Sequence, residues 1–239
     1  MARICFDHLT KRYGQVTAVD DLSVSLEPGT ITGFLGANGA GKSTTLRMLV
    51  GLTKPTSGTA TIDGQPYWAL EQPARSIGAM TDSGVFHPRR SGRDALRVLG
   101  RFSGIADRRA DELIELVGLA GAGRRKVGGY SMGMRQRLGL AAALLGDPET
   151  LVLDEPANGL DPAGVLWLRT LLRGLADEGR TVLVSSHLLA ELAQTVDDVI
   201  VIDRGRLIVH GAMSELLDSN RSTTLEELFF DLVSKGALS

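Results

Sequence analysis

Gly36-Ala37-Asn38-Gly39-Ala40-Gly41-Lys42-Ser43 has the glycine, lysine and hydroxyl spacing of a phosphate-binding loop. An apolar run at residues 31–35 precedes it, and an apolar-periodic segment at residues 42–52 follows, so the order predicts strand, loop and helix. Glycines let the loop curl so that its N–H groups point at phosphate oxygens, and the helix N-terminus adds partial positive charge. The competing interpretation is a glycine-rich turn that binds nothing.

Within this loop, Lys42 is expected to reach the β- and γ-phosphates of a nucleotide, and the Ser43 hydroxyl to ligate Mg²⁺. The other candidates for phosphate contact are the rest of the motif and the residue after it: Gly36, Asn38, Gly39, Ala40, Gly41 and Thr44.

A second candidate element is Leu151-Val152-Leu153-Asp154-Glu155, an apolar strand that ends in two carboxylates. Asp154 is expected to hold Mg²⁺ beside the phosphate loop, because this cation prefers oxygen ligands. Glu155, one residue further out, is placed to orient or deprotonate the water that attacks the γ-phosphate. Taken alone, two acids after a strand also fit a solvated turn or a helix cap.

Composition excludes several classes of protein. The 239 residues are 43% hydrophobic and 23% charged, which is unlike collagen or a disordered chain. The longest apolar stretch, residues 138–146, is less than half of the roughly 20 residues that a membrane-spanning helix needs. The first ten residues lack the apolar run of a secretory signal, and the one cysteine cannot form an internal disulfide. We therefore expect a cytoplasmic chain.

Charge is unevenly distributed along the chain. Residues 85–137 hold twelve Lys and Arg against five Asp and Glu, whereas residues 147–239 hold seven against sixteen. The basic segment fits either solvated helix faces, which we favour, or a surface for phosphates or an anionic membrane. The net charge of −2 and the few interleaved aromatics argue against nucleic acid as a partner.

Apolar periodicity outlines the rest of the fold. Alternation at residues 22–27 predicts a half-buried strand, and residues 59–63 and 76–80 predict two more. A helical insert is expected from about residue 91 to 145. Apolar runs at 151–153, 182–185 and 199–202, separated by helical patterns, predict a parallel sheet with crossover helices. An amphipathic stretch at 225–233 ends the chain.

A third motif narrows the interpretation to one family. Tyr130-Ser131-Met132-Gly133-Met134-Arg135-Gln136-Arg137 precedes Asp154 and is followed by an apolar helical segment. This resembles the signature motif of the ATPase subunits of ABC transporters. Ser131 is a good helix N-cap, so Ser131, Gly133 and nearby N–H groups would offer a second positive helix end to phosphate.

The resemblance extends over residues 4–210 and implies further roles. Tyr13 resembles the aromatic residue that stacks on adenine, and His187 resembles the switch histidine that touches the γ-phosphate. Residues 158–161, ending in Asp161, resemble the loop at the dimer interface. The implied fold is a P-loop NTPase of ABC type, α/β, with a mostly parallel core sheet, an antiparallel β subdomain and an α-helical subdomain. Two copies would sandwich two ATP molecules between phosphate loop and signature.

Two departures from the family pattern matter. The usual signature reads Leu-Ser-Gly-Gly-Gln, whereas Tyr130, Met132 and Met134 stand here at its first, third and fifth positions. That form, together with Thr224–Phe229, resembles the branch related to bacitracin and daunorubicin exporters, whose members often run longer at the C-terminus. Asp82 takes the place of a glutamine or glutamate that contacts Mg²⁺ or its water, and its shorter side chain puts that reach in question.

These features imply an ATPase that powers export, of a drug or antibiotic among other cargo, through a separate transmembrane permease. We expect ATP and Mg²⁺ as cofactors, and a peripheral position on the inner face of the membrane. The ATP-binding domain is expected at residues 1–220, with a helical subdomain at about 83–145 and a helical tail at 221–239. Two alternatives are a single-domain ABC ATPase of cofactor assembly and a GTP switch or small-molecule kinase, which would lack the signature.

Overall fold

The computed structural model describes residues 3–81, 86–186 and 189–236. The strands in these residues are β1 (Ile4–Tyr13), β2 (Val16–Ser25), β3 (Ile31–Leu35), β4 (Ser57–Ile62), β5 (Ile77–Met80), β6 (Thr150–Asp154), β7 (Thr181–Ser185), β8 (Asp198–Asp203) and β9 (Arg206–Ala212). The α-helices are α1 (Lys42–Leu49), α2 (Pro73–Ser76), α3 (Gly92–Phe102), α4 (Asp107–Leu116), α5 (Met132–Ala143), α6 (Pro162–Asp177), α7 (Leu189–Ala193), α8 (Met213–Asn220) and α9 (Leu225–Gly236).

A six-stranded sheet forms the centre of the molecule, in the order β5-β6-β7-β3-β8-β9. Neighbouring strands from β5 to β8 run parallel, and only β9 pairs antiparallel, against β8. Their short apolar sequences suit this position, because helices cover both faces of a parallel sheet; every residue of β3 and β7, for example, is buried. The mixed, mostly parallel α/β fold confirms the prediction.

The topology brings three chain segments to one edge of this sheet. β7 lies between β3 and β6, and all three point the same way. The carboxyl ends of parallel strands meet at a common edge, where ligands usually bind in open α/β sheets. The phosphate loop after β3, the acids at the end of β6 and Ser185 at the end of β7 are therefore neighbours.

A second, antiparallel sheet has the order β2-β1-β4. It shares a hydrophobic core with α1 and with the α1-facing side of the large sheet; the cluster includes Phe6, Leu22, Phe34, Leu46, Leu49 and Ile62. This sheet is the antiparallel β region that the family resemblance implied.

The predicted helical insert contains three helices. α3, α4 and α5 pack against one another around buried side chains that include Leu96, Leu113, Ile114 and Leu138. Five arginines of α3 and α4 pair with carboxylates: Arg93, Arg97, Arg101, Arg108 and Arg109. The charge of these five arginines is therefore partly neutralised by neighbouring carboxylates.

Several predicted boundaries are wrong by a few residues. The helix predicted to reach residue 52 ends at Leu49, because the chain turns at Gly51 with a φ of 72°. The strand predicted at 59–63 ends at Ile62, since Asp63 is left-handed with a φ of 51°. The strand predicted from residue 76 starts at Ile77, and that predicted at 22–27 is the end of β2, which stops at Ser25.

The last helix packs against the rest of the fold. Leu225 and Leu228 of α9 are buried in the core beside β8 and β9. The Thr224 hydroxyl accepts a hydrogen bond from the Glu227 N–H at 3.2 Å, which caps the first turn. The division of the chain at residue 220 stays a prediction.

Candidate functional site

The phosphate loop has the backbone conformation that its glycines predict. Gly39 and Gly41 have φ values of 83° and 111°, which side-chain-bearing residues rarely adopt. A Cβ atom placed on Gly41 would lie 2.4 Å from the Ala18 carbonyl oxygen, so the small sheet closes against the loop at this point. The Gly41 position thus requires glycine for two separate reasons.

Lys42 is buried at the start of α1, with 6% of its surface exposed. Its Nζ donates hydrogen bonds to the carbonyl oxygens of Gly36 at 2.6 Å and Ala37 at 3.2 Å, so the ammonium lies inside the loop. Burial lowers the pKa of Lys42, and the Glu155 and Asp154 carboxylates oppose that shift. A cation held among these groups is positioned for an incoming phosphate.

A hydroxyl at the end of β7 organises the two acids. Ser185 Oγ donates to Asp154 Oδ1 at 2.5 Å, and accepts a hydrogen bond from the Glu155 N–H at 3.0 Å. Asp154 and Ser185 are paired in the β6–β7 register, which explains why they meet. The sequence analysis gives Ser185 no role. The feature that could have indicated one is its position as a polar residue at the end of the apolar run 182–185.

Glu155 has a left-handed backbone, with a φ of 52°. This conformation is uncommon for a residue with a side chain and ends the strand abruptly. Strained residues persist only where the surrounding structure holds them in place, and they are common at functional sites. Because of this turn, the Glu155 side chain does not continue the alternation of side chains along β6.

The donor set at the loop suits Mg²⁺. Ser43 offers a hydroxyl and Asp154 a carboxylate, and Mg²⁺ commonly binds one or two protein groups together with phosphate oxygens and water. Across the described parts of the chain, His, Cys, Asp and Glu form no group of three or more that could enclose a metal by themselves. A cation at Ser43 and Asp154 would therefore depend on a bound phosphate for further ligands.

The predicted signature lies at the N-terminus of α5. Ser131 Oγ accepts a hydrogen bond from the Met134 N–H at 3.2 Å, and Ser131 itself is exposed. The predicted N-cap is confirmed, and the helix end faces outward. Tyr130 is buried instead and donates its hydroxyl hydrogen to the Ala122 carbonyl at 2.8 Å, so this departure from leucine serves packing.

The signature packs against the loop that contains Asp161 within the same chain. A Cβ atom on Gly133 would lie 2.8 Å from the Gly159 carbonyl oxygen, so the backbones approach closely. Asp161 Oδ1 accepts a hydrogen bond from the Gly164 N–H at 2.8 Å and caps α6. Arg137, which sequence analysis gave no role, lies over the Trp167 ring at 4.2 Å and ties α5 to α6.

Three further predicted site residues lie elsewhere in the chain, and the structure describes one of them. Tyr13 lies at the end of β1 and is 52% exposed, with Lys11 Nζ 4.9 Å from its ring centroid. The small sheet that carries it borders the phosphate loop through Ala18. Asp82 and His187 lie outside the described residues.

A glycine loop follows β3, its lysine is buried, and an acid pair ends β6, which is separated from β3 by β7 alone. These features define a phosphate-loop nucleotide hydrolase. The family model described as "ABC transporter" matches residues 19–158. A bacitracin transport ATP-binding protein of Bacillus licheniformis is 41% identical, over 94% of this chain and 78% of that protein. A Nod factor export ATP-binding protein of Burkholderia lata is 38% identical, over 96% of this chain and 77% of that protein.

Among solved structures, an ATP-binding subunit of an ABC transporter has the same fold, with a TM-score of 0.87 and 24% identity over 96% of this chain and 99% of that one. The chain belongs to the ABC transporter family, as an ATP-binding subunit that hydrolyses ATP to ADP and phosphate. These relatives do not favour the cofactor-assembly alternative. Within the residues described, none of the helices is both long and apolar enough to cross a membrane.

Proposed function

We propose that the residues at the ends of β3, β6 and β7 carry out the hydrolysis. The phosphates lie along the N–H groups of residues 36–44, and Lys42 binds the β- and γ-phosphates. Tyr13 stacks on the adenine. Glu155 orients the attacking water and accepts its proton, while His187 contacts the γ-phosphate.

Ser43 and Asp154 hold Mg²⁺ in this proposal, with Asp82 as a third, shorter-reaching ligand. The ion, when bound, neutralises charge that develops on the phosphate oxygens. Ser185 fixes the Asp154 carboxylate through the 2.5 Å hydrogen bond, so one oxygen stays oriented before nucleotide arrives. Positioning and charge stabilisation account for most of the catalysis of phosphoryl transfer.

The proposal rests on the position of Lys42, Asp154 and Glu155 at the same edge of the large sheet. Lys42 is close enough to both acids for their charges to act on its pKa. Changing Glu155→Gln tests it, because the amide keeps the size of the side chain but cannot accept the proton from water. We expect ATP binding within about twofold of the parent and a fall of about 10²–10⁴-fold in phosphate release.

Glu115→Gln is the matched control for that experiment, since Glu115 is an exposed acid of α4, away from the strand edge. It should leave both binding and phosphate release unchanged. Full phosphate release by Glu155→Gln would show that another group positions the water.

We further propose that two copies assemble head to tail, so that Ser131 and Gly133 of one copy face the γ-phosphate bound to the other. The capped N-terminus of α5 supports this arrangement, because Ser131 is exposed there and a helix N-terminus carries partial positive charge that favours phosphate. Asp161 lies in the loop against which the signature packs, at the same surface.

A permease subunit is the second proposed partner, and one groove fits it. A groove of about 1360 Å³ runs between α2 and β5 on one side and α3, α4 and α5 on the other. Its apolar walls include Leu52 and Phe102, which are 67% and 87% exposed, and its polar walls include Arg75 and Arg109. Large exposed apolar side chains around a groove are typical of a protein docking site.

Export is the proposed direction of transport, and a drug, an antibiotic or another secreted compound the proposed cargo. The support is similarity alone, to proteins named for bacitracin transport and for Nod factor export. In this arrangement the ATPase lies at the inner face of the membrane, held there by the permease. Closure of the two copies on ATP would drive the permease between its two states.

A further inference from the structure

Gln136 is a buried amide in the second turn of α5, and only 6% of it is exposed. Its Nε2 donates a hydrogen bond to the Glu155 carbonyl oxygen at 3.1 Å. The orientation of the amide follows from chemistry, because a carbonyl oxygen only accepts and the nitrogen must face it. Gln136 lies outside the phosphate loop, and it is not one of the signature residues, Ser131 and Gly133, that are proposed to contact phosphate.

The oxygen of the same amide differs from the nitrogen in its surroundings. Gln136 Oε1 is buried and accepts no hydrogen bond from any described residue. Leaving a polar atom buried and unpaired costs free energy, so stability alone would favour an apolar side chain of similar size. An amide at this position is therefore better explained by function than by stability, and its hydrogen bond to the Glu155 carbonyl indicates which function.

That bond reaches a residue whose backbone needs support. Glu155 is left-handed at a φ of 52°, and its N–H donates to both Ser185 O and Ser185 Oγ. Its carbonyl accepts from the Asn158 N–H at 3.2 Å and from Gln136. Ser185 thus holds the peptide group before the Glu155 Cα, and Gln136 and Asn158 hold the peptide group after it.

We propose that Gln136 is a positioning residue through which α5 holds Glu155 in its working orientation. This inference rests on the proposed function, in which Glu155 orients water at its own site and Ser131 faces the nucleotide of the second copy. One rigid helix then joins the two nucleotide sites. Ser131 at its N-cap would serve the second copy's nucleotide, while Gln136 in its second turn holds the Glu155 of its own chain.

Gln136→Met tests the proposal, because methionine fills a similar volume with neither a donor nor an unpaired acceptor. We expect kcat to fall about tenfold while KM and ATP affinity stay within about twofold, the pattern of a lost transition-state interaction. The thermal unfolding midpoint should not fall, since the unpaired oxygen is removed as well.

Thr150→Val is the matched control. Thr150 is fully buried at the start of β6, at the opposite end of that strand from Glu155, and its hydroxyl oxygen also lacks a partner among the described residues. This change should leave kcat unchanged and raise the unfolding midpoint slightly. An equal fall in kcat for both variants would mean that repacking of the core causes the loss, and the proposal would be wrong.

Gln136→Glu gives a second readout that packing does not predict. The ionised carboxylate would repel the Glu155 carbonyl, whereas the protonated acid can donate to it as the amide does. Burial raises the pKa of such a carboxyl, so kcat relative to the parent should rise as the pH falls from 8 toward 6. A relative kcat that stays flat over this range would contradict the proposal, even if Gln136→Met failed to fold.

The role of Glu155 and its positioning by Gln136 can be tested separately. Full phosphate release by Glu155→Gln would overturn the proposed role of Glu155. If Glu155→Gln is inactive but Gln136→Met keeps its full kcat, Glu155 retains its role and only the positioning by Gln136 is wrong.

Discussion

At the scale of single residues, the phosphate loop depends on the close approach of Ala18 to Gly41 as well as on the charge of Lys42. Lys42 is held between loop carbonyls, and no room remains on the other side of the loop, where Ala18 approaches Gly41. The consensus spacing of the motif predicts the lysine and the glycines. It does not predict which glycine lies against the small sheet, because that contact depends on how β2 packs.

Gly41→Ala should therefore damage folding and nucleotide binding together. The new methyl group would meet the Ala18 carbonyl oxygen at 2.4 Å, and the φ of 111° is strained for alanine. We expect the free energy of unfolding to fall by about 3 kcal/mol or more, measured by urea denaturation, with loss of ATP binding.

Gly104→Ala separates the two contributions to that loss. Gly104 also has a positive φ, of 68°, but a Cβ atom there would meet nothing within 4 Å. The control should cost about 1 kcal/mol and keep ATP binding, because it carries only the backbone strain. Equal losses for both variants would show that the clash with Ala18 is relieved.

At the scale of elements, the sequence predicts buried strands well and exposed ones poorly. β6, β7 and β8 are apolar runs that the sequence reveals directly. β9 was not predicted: its apolar run at residues 207–209 is short, the positions on either side are polar or small, and none of its residues is buried. The first part of the β1–β2 hairpin was missed as well, since shifts in its register interrupt the alternation.

The candidate site divides in a similar way. Lys42, Asp154 and Glu155 follow from motifs that lie at strand ends, and strand order brings them together. The left-handed turn at Glu155 and the contacts of Ser185 and Gln136 with it depend on long-range packing. No local pattern in a single sequence encodes a hydrogen bond between residues 19 positions apart.

The N-terminus of α5 gives a prediction at this scale. Ser131→Arg should leave ATP binding by a single copy within about threefold, because Ser131 is an exposed residue at the start of α5 and belongs neither to the phosphate loop nor to the ends of β3, β6 and β7. Turnover should fall at least about a hundredfold if, as proposed, this helix N-cap faces the nucleotide of the second copy, since a bulky cation would replace it. A filter-binding assay and a phosphate-release assay on the same preparation measure the two effects.

Ser103→Arg is a useful comparison, as it adds the same charge to the same helical region at an exposed serine beyond α3. It should leave turnover unchanged. Equal loss of ATP binding and turnover in Ser131→Arg would instead place Ser131 in the nucleotide site of its own chain.

At the scale of the whole molecule, α5 contacts both the groove and the nucleotide site: Gly139 lines the groove, and Gln136 donates to the Glu155 carbonyl. Phe102→Asp puts a charge on the most exposed aromatic of the groove and leaves the strand edge untouched. We expect a multi-span membrane protein to co-purify with the tagged parent chain from its native host and to be lost at least about tenfold with the variant. Phosphate release by the isolated chain should not change.

Phe230→Asp controls for that experiment, because Phe230 is also exposed, at 66%, but lies on α9 and does not line the groove. It should retain the membrane protein. Loss of the membrane protein with Phe230→Asp alone would locate the permease on the C-terminal helix.

Assembly of two copies is the remaining property of the whole molecule that can be tested. If each site needs Lys42 from one copy and Ser131 from the other, phosphate release per chain must rise with protein concentration and level off once pairs form. Glu155→Gln should make those pairs persist, because bound ATP is not consumed. With ATP it should elute as a dimer from a sizing column, and Glu155→Gln combined with Ser131→Arg should elute as a monomer. A release rate per chain that is independent of concentration down to the nanomolar range, from a chain that stays monomeric, would contradict the shared site, since one copy would then supply every group that hydrolysis requires.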